Sequence, residues 1–537
     1  MGANYLNSNT NSLVTLSSLG VTNCYYISAA GADSNDGTSE SKPWLHLPGM
    51  PKCTGGCAST EPQAGTGFIL RGGDTWHFGN SSASSYTGGT WTWRWNGSSE
   101  SPIYVGVDQR WYNGSSWSRP VLNGDNPTST STTLTGCPYQ VGSGNVMFAP
   151  IEISYLEFDN FEMTGMCQAV YGSFGQNVYV EDAASQYSTF EHLYIHGWTH
   201  KQFACKLDLK THEPVGMCYG ASVFLGSNGS RVETGIQYLY DVIDGEDSDP
   251  AGWMQIYDPM FTMAYSVLSH GSQIVSSLGH TFHDNLVMNW VDPGDKIAHG
   301  NLYEEVDEPS GTNAIYNNVW FNAYNRGIEG VCFWPAPPVG STLYVFNNVW
   351  YNVECGGNYF NIGQNRRDQG TINLFNNTLE NPQNGAILTC ASSRYSAPFT
   401  AANNHYITDS TPYFPACRRG TKIAEVPMSH RGAKRQGYAA SEIYGYSPVN
   451  GSGPTIGIGT NEQSFCSAMI ASGDPMIRAA GTSCRSDTTY ACRYNSTNHT
   501  VICPARAATA RPSGSPWDAG AYQSQSAAQS RAGEKAM

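Results

Sequence analysis

Ile315-Tyr-Asn-Asn-Val-Trp320 returns as Val345-Phe-Asn-Asn-Val-Trp350 and as Leu374-Phe-Asn-Asn-Thr-Leu379, and in weaker form as Ala401-Ala-Asn-Asn-His-Tyr406. Upstream, Phe282-His-Asp-Asn-Leu-Val287 and Glu157-Phe-Asp-Asn-Phe-Glu162 have the same shape. From Asn285 the second Asn of the pair steps to Asn318, Asn348, Asn377 and Asn404, at intervals of 33, 30, 29 and 27 residues. A near-constant period of this length marks a solenoid. Each repeat is one unit of short strands and turns that buries its apolar side only by stacking on its neighbours. Side chains alternate in and out along a strand. One Asn of each pair therefore points inward or sits at a bend, where its amide can bond to the same amide one coil away. Tyr316, Phe346 and Phe375 are expected to stack in the same way.

A second strand follows a turn in each repeat: His299-Gly-Asn-Leu-Tyr-Glu304, Ile328-Glu-Gly-Val-Cys-Phe333, Gly357-Asn-Tyr-Phe-Asn-Ile362 and Gly385-Ala-Ile-Leu-Thr-Cys390. Helical periodicity is almost absent here. The expected fold is all-β, a right-handed parallel β-helix with irregular N- and C-terminal caps. Residues 1–150, rich in Trp and Gly, are expected to form the N-terminal cap and first coils. Residues 151–417 form the central coils, with a loop insertion near 200–235. Residues 418–522 lose the period and form C-terminal coils and cap, with a short helix near Glu462 to Ile470. The polar tail 523–537 is expected to be disordered.

Composition narrows the class. Charged residues make up 13% of the 537, and the formal net charge is -15. A nucleic-acid partner is therefore not expected, although a basic stretch occurs at Arg418, Arg419, Lys422, Arg431, Lys434 and Arg435. No run of 18 apolar residues is present to span a membrane. Fifteen cysteines without paired CxxC spacing read as disulfides of an oxidising compartment and not as a zinc site. The expected bridges are Cys205 with Cys218 and pairs within Cys466, Cys484, Cys492 and Cys503, with at least one thiol left over. The N-terminus lacks the charged and apolar regions of a signal peptide. The expected location is nevertheless extracellular, with any signal already removed.

Tyr25-Tyr-Ile-Ser-Ala-Ala-Gly-Ala-Asp-Ser-Asn-Asp-Gly-Thr38, followed by Lys42-Pro-Trp44, resembles the opening of secreted bacterial right-handed β-helix repeat proteins of the pectate-lyase-like superfamily. Phe68-Ile-Leu-Arg-Gly-Gly-Asp-Thr-Trp76 is similar to their next strand and turn, and Trp517-Asp-Ala-Gly-Ala-Tyr522 resembles their closing element. The resemblance implies the fold. It does not imply one activity, because the superfamily includes lyases, hydrolases, esterases, epimerases and non-catalytic adhesins. Ser276-Ser-Leu-Gly279 is similar to a fragment of the polygalacturonase pattern, but the paired aspartates and basic elements do not follow in order. No catalytic residues are carried over from that family.

A solenoid groove suits an extended polymer, and 14 Trp and 32 Tyr suit sugar rings. Three constellations could carry chemistry. The turn Asp244-Gly-Glu-Asp-Ser-Asp249 could gather Asp244, Asp247 and Asp249 around calcium, or supply a carboxylate pair for glycoside hydrolysis. His299, Glu304 and Glu305 fall in a central coil. Counting from the Asn pairs sets Glu304 beside Trp334 and Asn361, with Arg326 and Glu329 opening the next coil. His196, His200, His270, His280 and His283 could stack and hold a transition metal. The catalytic candidates are thus Asp247, Asp249, His299, Glu304 and Glu305, with Arg326, Glu329, Trp334 and Asn361 on substrate. The expected function is a polysaccharide-degrading enzyme, hydrolytic in preference to a calcium-assisted lyase. It requires no cofactor, with calcium the one candidate. A non-catalytic glycan-binding or adhesion protein is the rival from another class. The expected partner is a polysaccharide; the sequence gives no oligomeric state.

Overall fold

In a computed structural model of the chain, the first residue of each Asn pair turns the corner and the second fills it. The structure describes residues 4–524 apart from 8–11, 80–88, 129–135, 143, 170–176, 202–220, 228–232, 250–252, 258–260, 272–273, 277–279, 291–301, 306–310, 326–330, 336, 356–357, 363–369, 381–386, 391–397, 414–419, 437, 440–446, 449–452 and 505. Asn317, Asn347, Asn376 and Asn403 have left-handed φ of 53–56°, as has Asp284 at 53°. Asn and Asp tolerate this region because their short polar side chains bond locally. The corner separates two strands of each coil, such as Thr342–Phe346 and Val349–Cys355.

The second Asn is buried. Asn285, Asn318, Asn348 and Asn377 each donate their backbone N–H to the side-chain oxygen of the next coil's Asn at 3.0 Å. The chain of bonds extends past the Asn residues. Upstream, Leu193 N–H bonds to Asp241, Asp241 N–H to Ser266 and Ser266 N–H to Asn285. Downstream, Asn404 N–H bonds to Glu425 Oε1 at 2.9 Å. Burying so many amides costs little because each is satisfied in series.

Three parallel sheets result. Among the described residues the first has 13 strands, from Asn23–Ile27 to Thr421–Ile423. The second has 12, from Thr75–His77 to Val426–Met428, and the third has 10, from Trp91–Trp93 to Leu388–Cys390. Every pairing within them is parallel, for example Trp320 opposite Trp350 and Ile315 opposite Val345. The coil is right-handed, the hand that parallel crossovers take. This is the expected β-helix. Its interior is a column of large side chains, and Trp320 and Trp350 stack at 6.0 Å and 6°.

The predicted ladder of Tyr316, Phe346 and Phe375 exists, with ring centroids 5.0 and 5.1 Å apart. It faces outward. It is buried because the C-terminal region runs along the flank of the solenoid, setting Met469, Ile477 and Trp517 on these rings. The predicted short helix is Gln463–Ile470, followed by Pro475–Ser483. A hairpin, Arg493–Asn495 with Thr500–Ile502, then covers the outer face of the second sheet. Disulfides join Cys466 to Cys484 and Cys492 to Cys503, both within the predicted set. Cys53–Cys57 and Cys137–Cys167 are further bridges. Cys24 is a free thiol, and its half-burial raises its pKa to about 11. Cys205, Cys218 and the tail beyond 524 lie outside the described residues.

Candidate functional site

The flanking C-terminal region packs on two of the three faces. It covers Tyr316, Phe346 and Phe375 on the first sheet, and Val267, Leu286, Val319 and Val349 on the second. Among the described residues no cluster from this region packs on the outer face of the third sheet. Here the column counted from the Asn pairs is present: Glu304 is the register partner of Val275 on one side and of Trp334 on the other. Tyr303 points into the core and is buried, so alternation turns the partly exposed Glu304 outward. Phe333 pairs with Phe360, which sets Asn361 at the register position beside Trp334. Glu305 takes the position of Ser276. For Glu305 and Asn361 the description covers the backbone alone, while His299, Arg326 and Glu329 lie outside it.

The acidic turn gathers differently from the expectation. Among the described residues Asp244, Asp247 and Asp249 do not come together at metal-ligand spacing, and each has its own partners. Asp249 is fully buried with Oδ2 2.5 Å from His200 Nδ1, and its carbonyl accepts from Trp198 Nε1. Asp244 is also buried; it accepts from His270 Nδ1 at 2.7 Å, Tyr494 Oη at 2.6 Å and Glu246 N–H at 3.1 Å. Asp247 accepts from His196 Nδ1 at 2.9 Å and from Gly197 N–H at 3.0 Å. Among the described residues the group with metal-ligand spacing is instead Asp159, Glu191 and His192. The predicted imidazole column does not form a ligand set either. His280 pairs with Asp474 and His283 with Asp284.

Sequence reasoning missed what completes this second cluster. His196 Nε2 lies 3.2 Å from Glu162 Oε1, so one imidazole bridges two carboxylates. Burial alone would lower the His196 pKa, but its bonds to Asp247 and Glu162 outweigh it and lift the value to about 9. Burial likewise opposes ionisation of Asp247, and His196 overcomes it and lowers that pKa. Tyr194 is sandwiched between His196 at 4.1 Å and His499 at 4.0 Å, both nearly parallel. Glu162 and Tyr194 are register partners on adjacent coils, a relation that counting from Asn160 could have given. Tyr494 and His499 come from the distant hairpin, and no local sequence signal places them here.

Together these features define a right-handed parallel β-helix whose third sheet carries an acidic and an aromatic residue in register. No family model matches the chain, and no curated protein matches it. Among solved structures it is similar to a GH136 lacto-N-biosidase from Eubacterium ramulus, at 14% identity over 76% of this chain and 68% of that one, with a TM-score of 0.43. It is similar also to the pectate lyase Pel9A, at 13% identity over 94% and 98% of the two chains and a TM-score of 0.44. A rhamnogalacturonan lyase aligns at 15% identity over 75% and 87%, with a TM-score of 0.41.

Proposed function

We propose that this chain is a secreted polysaccharide-active enzyme, a glycoside hydrolase, that holds an extended glycan along the outer face of the third sheet. The observation that carries the reading is the half-exposed Glu304 in register with Trp334, on the sheet where no described cluster of the C-terminal region packs. Trp334 is itself buried, so the half-exposed Glu304 is the group of the pair that a glycan reaches. The carboxyl group protonates a leaving oxygen or activates water. Asp247 stands too far away to be its partner. Two coils separate them, and at about 4.8 Å per coil that is roughly 10 Å along the axis alone, against roughly 5–9.5 Å in hydrolytic pairs. The second carboxylate then comes from the coil of Glu304 or the next, where Glu329 stands in the sequence; alternation sets Glu305 on the opposite side of the strand from Glu304. Disulfides suit the extracellular setting of such a substrate.

Reducing-end release from a panel of neutral and acidic polysaccharides, with calcium and with chelator, tests the proposal. We expect release without the ultraviolet absorbance of an unsaturated uronate. Glu304→Gln should lower kcat by about 10²-fold or more, whereas Asp247→Asn should leave it within a few-fold. Absorbance that a chelator abolishes would replace the hydrolase by a lyase. Binding to a glycan without turnover would leave a non-catalytic binding protein.

A further inference from the structure

Where strands of the third sheet hand the chain to the first, one corner repeats in register. Ser154, Gln186 and Thr234 bridge one another in parallel on three successive coils. The residues that follow them are therefore equivalent: Tyr155, Tyr187 and Gly235. All three have left-handed φ, of 55°, 49° and 68°. The two tyrosine rings stack, with centroids 5.3 Å apart and planes inclined by 16°. Tyr187 is nevertheless 49% exposed, among the most exposed large apolar residues described.

Backbone preference does not explain these tyrosines. A bulky side chain is disfavoured in the left-handed region, which Gly and Asn enter readily. The third coil has Gly at this position, so the corner itself does not call for a ring. The ladder also ends at Gly235 for a steric reason. A Cβ there would lie 2.8 Å from Cδ1 and 3.2 Å from Cε1 of Tyr187. The ring thus leans over a residue that has no side chain to set against it. One face of Tyr187 rests on Tyr155, and no third rung covers the other.

We propose that Tyr155 and Tyr187 form a sugar-stacking subsite, in which a pyranose ring of a neutral glycan takes the place of the missing third rung over Gly235. An aromatic face is flat and apolar, and the C–H side of a pyranose packs on it. The patch is one ring wide and bordered in sequence by Ser154, Gln186 and Thr234. A stable protein interface needs roughly 800 Å² on each partner, far more than one ring supplies. A nucleobase also stacks on tyrosine, but it brings phosphates that need cations. Residues 152–155, 184–187 and 233–236 contain no Lys or Arg, and Glu152 among them is exposed. The same composition disfavours a polyuronate. The pair follows the strand Val178–Glu181, four strands before Tyr303–Glu305 in the order of the third sheet. At about 4.8 Å per coil it stands roughly 19 Å along the axis from Glu304. Stacking requires no hydrolysis, so the inference goes beyond the third-sheet reading and does not rest on it.

Affinity electrophoresis of the full chain in gels containing arabinoxylan, galactomannan or xyloglucan tests the inference, with polygalacturonate and single-stranded DNA as parallel probes. The Glu304→Gln chain is run beside the natural one, so that turnover cannot alter the gel. We expect at least one neutral glycan to retard both. Tyr187→Asn should weaken that binding by about fivefold. Its melting temperature should not fall, because Asn suits the left-handed φ. Tyr187→Phe keeps the ring and should bind like the natural chain. Retardation by no neutral glycan, equal retardation of Tyr187→Asn, or retardation by polygalacturonate or DNA alone would each overturn the proposal. So would weaker binding matched by a lower melting temperature, which would mark the rings as structural. Reducing-end release by a chain whose Tyr187→Asn variant still binds fully would keep the third-sheet reading and remove the subsite. Ring-dependent retardation without release would do the reverse.

Discussion

Glu425 and His196 both hold their proton more tightly in the fold, Glu425 because burial disfavours its charge and His196 because two carboxylates favour its own. Desolvation dominates at Glu425; the bonds from Asn404 and Tyr413 only partly offset it, leaving the pKa at about 7 against an ordinary 4.5. The folded chain therefore holds a proton that the unfolded chain releases. Its stabilising contribution is complete below pH 4.5 and is lost as the pH rises to about 7. The loss is of the order of 1–3 kcal/mol. Glu425→Gln keeps an acceptor for Asn404 and cannot ionise. Melting temperatures measured from pH 4 to 8 should fall for the natural chain across that window relative to the variant. Parallel curves for the two proteins would show that Glu425 ionises freely. At His196 the raised value of about 9 gives a contribution that is complete below pH 6.5 and is lost as the pH rises to about 9.

At the scale of the element, the corner with its two Asn residues explains why the fold is legible in the sequence. The first Asn is needed for left-handed φ and the second for the ladder, so a local dipeptide encodes a long-range contact. Register follows from it, which is why Glu304 beside Trp334 can be counted out from the repeat. A second series escapes such a reading: Asn289, Asn322 and Asn352 also have left-handed φ of 51–53°, and their amides bond at 2.7 and 2.9 Å. These single Asn residues carry no dipeptide to flag them. The acidic turn misleads for a related reason. Alternating carboxylates look convergent in sequence, whereas the bend sends Asp249 inward to His200 and leaves Asp247 out beside His196. The two Asn series predict different costs. Asn348 is fully buried and donates to Asn377, Ile315 and Phe346 while accepting from Asn318. Asn348→Ala strands several of these groups and should cost about 2–4 kcal/mol in urea unfolding. The half-buried Asn322→Ala should cost about 1 kcal/mol or less. Equal losses would mean that the inner ladder contributes nothing special.

Over the whole molecule, the flanking C-terminal region changes what a solenoid can be. Coils in a stack touch only their neighbours, so stability is a sum of local terms and unfolding need not be cooperative. Here one segment ties five successive corners together. Thr489 bonds to Asp284, Ser483 to Asn317, Ser486 to Asn347, Asp518 to Asn376 and Thr460 to Asn403. None of this is readable from the repeat, because the contacts join residues 57 to 205 apart in sequence with no shared motif. The same segment covers the outer faces of the first and second sheets. Trp517 is its anchor: it is fully buried, donates from Nε1 to Pro512 at 2.8 Å, and lies 5.3 Å below the Arg511 guanidinium. Trp517→Ala should cost about 3–5 kcal/mol, and the loss should fall on the flank and not on the coils. Calorimetry should then resolve a single transition into two. Hydrogen exchange should show lost protection over residues 460–522, with the Asn348 and Asn377 amides still protected. One sharp transition at a lower temperature, with all amides exchanging together, would show that flank and coils unfold as a single unit.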